Sequence, residues 1–275
     1  MGLNPTLNVM AGKIGSELPG ISSGKIIVIG ACVCGERHAK EGKPCQDTFS
    51  WSHIPENGVV VALADGLSSK PCAETGARIG VEAVCEAVVS AYRENNPIDQ
   101  KVLIREAFRI AHQKVMNEAE RTGINSSSYG TTLIGAIFFN RRITVGHIGD
   151  GIVAGIQEGK TLIISEPGQS EYANETASLV QPDWETHLRV TEAPDIDAGI
   201  LTTDGCQGAV ATRQSGNLHP YDPFLLPLIS FIRKKTDNGE DSSSDITSLL
   251  TSSRMLELSG DDKTLVILLG PPLVP

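Results

Sequence analysis

Short, continuously apolar runs separated by glycine-rich and acidic turns fill most of the chain, interrupted by two long stretches in which apolar residues recur every three or four positions. Residues 25–34 are rich in β-branched side chains and predict a strand, and the polar segment 35–45 predicts a loop. Strand character resumes at 46–51. After a turn over 52–58, the run 59–64 has the length and composition of a buried strand, ended abruptly by Asp65 and Gly66. Pro71 marks a first helical position, and Ala77, Val81, Val84, Cys85, Val88 and Val89 then trace one helical face up to Tyr92. Pro97 starts a second helix, whose stripe runs through Val102, Leu103, Ala107, Ile110, Ala111, Lys114 and Val115 before Gly123 ends it.

β character returns at 131–139 and continues through 143–148, 152–157 and 160–164 with short turns between, which predicts an antiparallel meander. A long polar connection follows at 165–185, of a length that usually has a task. Strands are expected at 187–190 and 196–203, helices at 220–235 and 246–257, and a last strand at 263–269. This order of elements predicts an α+β fold in which helical layers pack on antiparallel sheets.

Composition narrows the function classes. The 275 residues, 40% of them hydrophobic, can bury a substantial core, and a formal charge of -10 argues against nucleic acid or an anionic membrane as the partner. The start of the chain has neither a charged n-region nor an apolar signal segment, and no run is long enough to span a bilayer, so a cytoplasmic protein is expected. Gly2 and Thr6 match a myristoylation pattern, but Pro5 interrupts so short a motif and coincidence is the better reading. Residues 1–23 are expected to form an extended arm and 24–275 a single domain. The six cysteines lack Cys-x-x-Cys spacing and are read as reduced thiols in core positions.

The candidate chemistry lies in acids at strand ends. Three apolar runs end in Asp-Gly, at Asp65, Asp150 and Asp204, and Asp47, Asp261 and Asp262 stand at the starts of strands. A single Asp-Gly is most simply a hairpin turn; three that each close a buried strand point to a shared site. Hard oxygen donors without a His or Cys cluster suit Mg2+ or Mn2+. Carboxylates converging in one cleft call for cationic counter-charge, and two such ions sharing a water can hydrolyse phosphate esters.

Gln46-Asp47, Ala64-Asp65-Gly66, Gly130-Thr131-Thr132, Gly149-Asp150-Gly151, Thr203-Asp204-Gly205 and Asp261-Asp262-Lys263-Thr264, in this order, resemble the motifs of the metal-dependent type 2C (PPM) serine/threonine phosphatases. Residues 44–47 and 171–174 are similar to a compact bacterial subgroup. The resemblance implies a central antiparallel β-sandwich flanked by pairs of antiparallel helices, a four-layer αββα arrangement. It implies two Mg2+ or Mn2+ ions, bridged by Asp65, with the Gly66 carbonyl on one of them. Asp204 and Asp261 would complete the first metal, Asp47 would serve the second, and Asp150 would mark a third, weaker position. Asp65 and Asp204 would be the catalytic carboxylates of a direct water attack on phosphoserine or phosphothreonine, with no phosphoenzyme.

A phosphoprotein substrate, a cognate Ser/Thr kinase to oppose and a monomeric state follow from the same resemblance; the alternative is a pseudophosphatase that binds phosphoproteins as a regulatory module. Two departures from the family pattern stand out. The stretch Gly42-Lys43-Pro44-Cys45 lacks the family's phosphate-gripping arginine, for which Lys43, Arg37 or His38 could substitute, with His38 and Lys43 favoured. Leu67 occupies the place where some relatives carry a proton-donating histidine. His147 alternates with core positions and is expected to be structural. The 165–185 connection corresponds to the family's substrate-side flap, which would place Tyr172, Asn174 and Glu175 near the cleft mouth.

Overall fold

The computed structural model describes residues 9–10, 25–94, 99–168 and 176–271. In chain order the strands and helices are β1 (Val9–Met10), β2 (Ile27–Val33), α1 (Glu36–Glu41), β3 (Asp47–Ile54), β4 (Gly58–Asp65), α2 (Ala73–Arg93), α3 (Gln100–Thr122), β5 (Leu133–Phe139), β6 (Arg142–Ile148), β7 (Ile152–Gln157) and β8 (Lys160–Ser165). After the long connection come α4 (Trp184–His187), β9 (Arg189–Ala193), β10 (Ile196–Thr202), α5 (Gln207–Val210), β11 (Ala211–Gln214), β12 (Asn217–Pro220), α6 (Asp222–Asp237), α7 (Ser243–Leu250), α8 (Ser253–Leu258) and β13 (Lys263–Leu269).

Two antiparallel sheets carry the fold, one ordered β1-β2-β13-β10-β7-β8 and the other β3-β4-β5-β6-β9. Strand β4 explains why its sequence is apolar without alternation. Val60, Ala62 and Ala64 face α2 and α3, whereas Val59, Val61 and Leu63 face the opposite sheet alongside Val153, Leu201 and Val266. A strand covered on both sides has no solvent face to mark with polar residues. On the far side, α6, α7 and α8 cover the outer face of the first sheet through Leu225, Ile229, Leu250 and Met255. The result is the predicted α+β sandwich, two sheets between two helical layers. Each fully buried Val, Leu or Ile contributes roughly 1.5–3 kcal/mol, which gives the acids at the strand ends a rigid base.

Several local expectations change. Residues 36–41, expected within a loop, form α1, too short to show an apolar stripe; it buries His38 and closes on Gly42 at φ 67°. The strand before the first hairpin runs on to Ile54, and the turn narrows to three residues, Pro55, Glu56 and Asn57, the last two at positive φ (59° and 64°). Helix α2 begins at Ala73 and not at Pro71, because the Lys70 carbonyl is first used in a tight turn by the Ala73 N–H. Pro97 lies outside the described residues; α3 begins at Gln100, capped by Asp99, whose side chain accepts from the Lys101 N–H at 2.7 Å.

The segment 184–187, part of it expected as strand, is the helical turn α4, and 246–257 is broken after Leu250, where Ser252 caps a new helix. The polar hairpin β11–β12 had no hydrophobic signal to announce it. The meander at 131–164 also divides: β5 and β6 pair in one sheet, β7 and β8 in the other, and the chain crosses between sheets at Gly149, Asp150 and Gly151. Of residues 1–23, Val9 and Met10 pair with Val33 and Cys32 of β2, and the others lie outside the described residues. Among the described residues, no helix is long and apolar enough to cross a membrane.

Candidate metal centre

The start of β3, the ends of β4, β6 and β10 and the start of β13 meet at one edge of the sandwich. Asp47 and Asp65 are direct cross-strand partners in the β3–β4 pair. The crossover between sheets adds Asp150, β10 leads into Asp204, and Asp261 and Asp262 precede β13. One oxygen each from Asp65, Asp150 and Asp204 lies within 4.8 Å of the others.

Backbone contacts hold this group in place. The Asp65 N–H donates to Thr132 Oγ1 at 2.9 Å, while its carbonyl accepts from the Thr132 N–H at 2.8 Å and from Thr131 Oγ1 at 3.0 Å. Gly66 bridges Thr131, and a Cβ there would come within 2.8 Å of Ala73, so only glycine lets α2 approach so closely. At Gly151 a Cβ would sit 2.5 Å from the Thr202 carbonyl, which sets the tight crossover carrying Asp150. Asp150 Oδ2 also accepts from Thr176 Oγ1 at 2.9 Å, tying the far root of the 165–185 connection to the group.

Asp47 is 5% exposed. Its Oδ2 accepts from Thr203 Oγ1 at 2.7 Å and Thr264 Oγ1 at 2.9 Å, while Oδ1 is buried with no partner. Asp204 Oδ1 is likewise buried and unpartnered. Burial, followed by the charges of Asp47, Asp204, Asp150 and Asp261, holds the Asp65 carboxyl well above the ordinary carboxylate range. Burial and then Asp262 do the same to Asp47, against the pull of the two threonine hydroxyls. Asp204 is pushed up to about 6 by burial and by Asp150 and Asp261.

Buried acids that repel one another and leave oxygens unpaired are a poor end-point for a fold unless a cation joins them. The all-oxygen donor set suits Mg2+ or Mn2+, and the orphaned oxygens of Asp47 and Asp204 are free to take part.

The remaining site candidates fall elsewhere. The carboxylate of Asp261 is grouped with His38 and Asp262, apart from the Asp65 group; its Oδ2 pairs with Arg37 Nη2 and its Oδ1 accepts from the Asp262 N–H at 3.0 Å. His38 is 3% exposed and turns Nδ1 to Asp262 Oδ2 at 2.9 Å, so its ring is sealed behind the acids. Lys43 Nζ is 2.8 Å from Glu41 on an exposed loop. Of the three cations considered for phosphate, Arg37, with a half-exposed side chain, is the one joined to a candidate ligand. Tyr172, Asn174 and Glu175 lie outside the described residues.

His147 is fully buried, hydrogen-bonded through Nδ1 to Ser165 Oγ at 2.8 Å, and burial lowers its pKa well below the ordinary value. All six cysteines are free thiols, and burial raises those of Cys34 to about 11 and Cys85 to about 12. Roles for Thr203, Thr264 and Thr176 were not foreseen. The signal was present for the first two, as threonines adjoining the acidic motifs at strand ends.

The sequence profile of the Protein phosphatase 2C family matches residues 34–250. Human "Protein phosphatase 1F" is 28% identical over 131 residues, which are 46% of this chain and 28% of that protein; the match spans just under half of this chain and less than a third of that protein. The catalytic domain of the serine/threonine phosphatase PstP, solved with two manganese ions, superposes with a TM-score of 0.61 at 16% identity, covering 89% of this chain and 97% of that one. Phosphatase Stp1 of Staphylococcus aureus gives a TM-score of 0.59 at 16% identity, covering 92% and 98%. The fold is thus that of the PPM-type serine/threonine phosphatases. The chain belongs to the protein phosphatase 2C family.

Proposed function

We propose that this chain is an active Mg2+- or Mn2+-dependent phosphoprotein phosphatase that removes phosphate from serine and threonine, opposing a protein kinase. The observation that carries the reading is the convergence of Asp65, Asp150 and Asp204 within 4.8 Å, with unpaired buried oxygens on Asp204 and on neighbouring Asp47. Asp65, the Gly66 carbonyl, Asp204 and Asp47 would hold two ions, with Asp261 joining on release from Arg37 and Asp150 offering a third, weaker position. Bound there, the ions supply a water of lowered pKa and neutralise charge on the phosphoryl oxygens.

The chain's own contribution is placement. Thr203 and Thr264 fix one oxygen of Asp47 and leave the other free. Thr131 and Thr132 fix the backbone of Asp65, so little reorganisation is needed when charge develops. Leu67 follows Gly66 and brings no proton, so solvent or another side chain protonates the departing hydroxyl.

The test is Mn2+-dependent release of phosphate from p-nitrophenyl phosphate and from a phosphothreonine peptide, compared with Asp65→Asn and Asp204→Asn. Metal-dependent turnover in the parent that falls at least about 1000-fold in both variants is expected. A parent without metal-dependent turnover would sink the reading.

A further inference from the structure

We propose that the buried carboxylate of Asp262 is a positioning residue: it sets Asp47, Gly66 and Asp261 relative to one another without binding an ion itself. The role rests on the two-metal reading above. Asp262 is 2% exposed. Its Oδ1 accepts from the Gly35 N–H at 2.6 Å, and its Oδ2 accepts from the Gln46 N–H at 2.7 Å and from His38 Nδ1 at 2.9 Å. His38, Asp261 and Asp262 are close enough together to suggest an ion between them. Three N–H groups already fill the Asp262 carboxylate, however, and their dipoles point positive charge at the place a cation would need.

The origin of the donors gives the carboxylate its task. Gly35 and Gln46 bracket α1, so one side chain closes both ends of that excursion. Backbone approach completes the closure: a Cβ on Gly35 would stand 2.3 Å from the Asp261 carbonyl carbon, and the Arg37 N–H donates to the Gly260 carbonyl at 3.2 Å. On its other side, Gln46 accepts through its carbonyl from the Gly66 N–H at 3.0 Å. The relay is therefore one residue long, from Asp262 through the Gln46 backbone to Gly66. Asp47 follows Gln46 directly and Asp261 precedes Asp262. A displacement of the Gln46 backbone would move Asp47 and Gly66 together.

His38 supports the same reading. Its ring is buried, yet Nε2 has no partner, so its Nδ1 contact with Asp262 is the polar interaction that accounts for a histidine there. Groups that orient metal ligands without touching the metal typically change affinity by about 10–100-fold when altered.

The test is Mn2+ titration of the metal-free full chain by calorimetry, well below its unfolding temperature, for the parent, Asp65→Asn, Asp262→Asn and His38→Gln. Asparagine at 262 turns an amide N–H toward one of the three donors, and a roughly 10-fold or greater loss of Mn2+ affinity in the folded protein is expected. His38→Gln, which keeps both backbone donors, is expected to lose about threefold and decides the matter if Asp262→Asn does not fold. A purely structural clamp would lower Tm and leave the Mn2+ affinity of the folded chain within twofold of the parent. That outcome in both variants overturns the positioning role alone. A parent that binds no Mn2+ overturns the two-metal reading and the positioning role with it.

Discussion

Two groups of acids stand side by side at one edge of the sandwich and are treated in opposite ways by their surroundings. Asp65, Asp150 and Asp204 face one another, Asp204 keeps a buried oxygen unpaired, and burial with neighbouring negative charge holds Asp65 and Asp204 above the ordinary carboxylate range. Asp262, a few residues from the same edge, has both oxygens filled by N–H donors. Residue type is the same in the two places, and Asp262 is the more deeply buried. The donors differ, and they separate a carboxylate that is part of the frame from one that still needs a cation.

The sharpest break between the groups is in what removal of charge does to each. Asp65→Asn should abolish metal-dependent turnover, as above, yet raise the Tm of the chelated protein, because it removes a charge that four neighbouring acids repel. Asp262→Asn should do the reverse to stability. It opposes three donors in a buried site and should cost about 2–4 kcal/mol, read as a fall in Tm of several degrees. If both variants shift Tm in the same direction, the contrast drawn here is wrong.

A pH titration sharpens the same contrast. In the folded chain Asp204 takes up its proton at about 6, against 3.8 for an ordinary aspartate, and Asp47 and Asp65 are raised as well. The folded state therefore binds more protons than the unfolded state between these values, and stability falls as pH rises through that window. The chelated protein should have a higher Tm at pH 5 than at pH 7 from this source, a slope that Asp204→Asn reduces and saturating Mn2+ flattens. A Tm that climbs steadily from pH 5 to pH 7 in chelator would contradict it.

The smallest effect belongs to the hydroxyls. Thr264→Val keeps the volume and removes one of two donors to Asp47 Oδ2, and should cost about 1 kcal/mol in denaturant unfolding.

Much of this edge was legible before the fold was known. The apolar run ending at Asp65, repeated at Asp150 and Asp204, announced strands that end in a shared site, because nothing but a strand end or a ligand position explains an aspartate after a doubly buried run. The helices α2 and α3 were equally plain from their stripes. Short or polar elements were not: α1 has too few residues for a period, and β11–β12 has no apolar face. Arg37 illustrates the limit at the site. Its neighbours His38 and Lys43 are the ones the sequence favours for phosphate, and what separates the three is that one ring is buried, one ammonium is paired outward and one guanidinium reaches Asp261.

By itself the sequence determined the apolar strands, the long helices and which acids stand at strand ends, since those follow from local periodicity and from the places where an apolar run can stop. Only the tertiary structure decided which acids meet. Pairing register puts Asp47 across from Asp65, and the crossing between sheets at Gly149, Asp150 and Gly151 carries Asp150 to Asp204. Backbone N–H groups from Gly35 and Gln46, more than two hundred residues away along the chain, then make Asp262 part of the frame while Asp65 keeps its charge exposed to the cleft. Such contacts depend on how distant segments dock, and side-chain pattern along the chain carries no record of them.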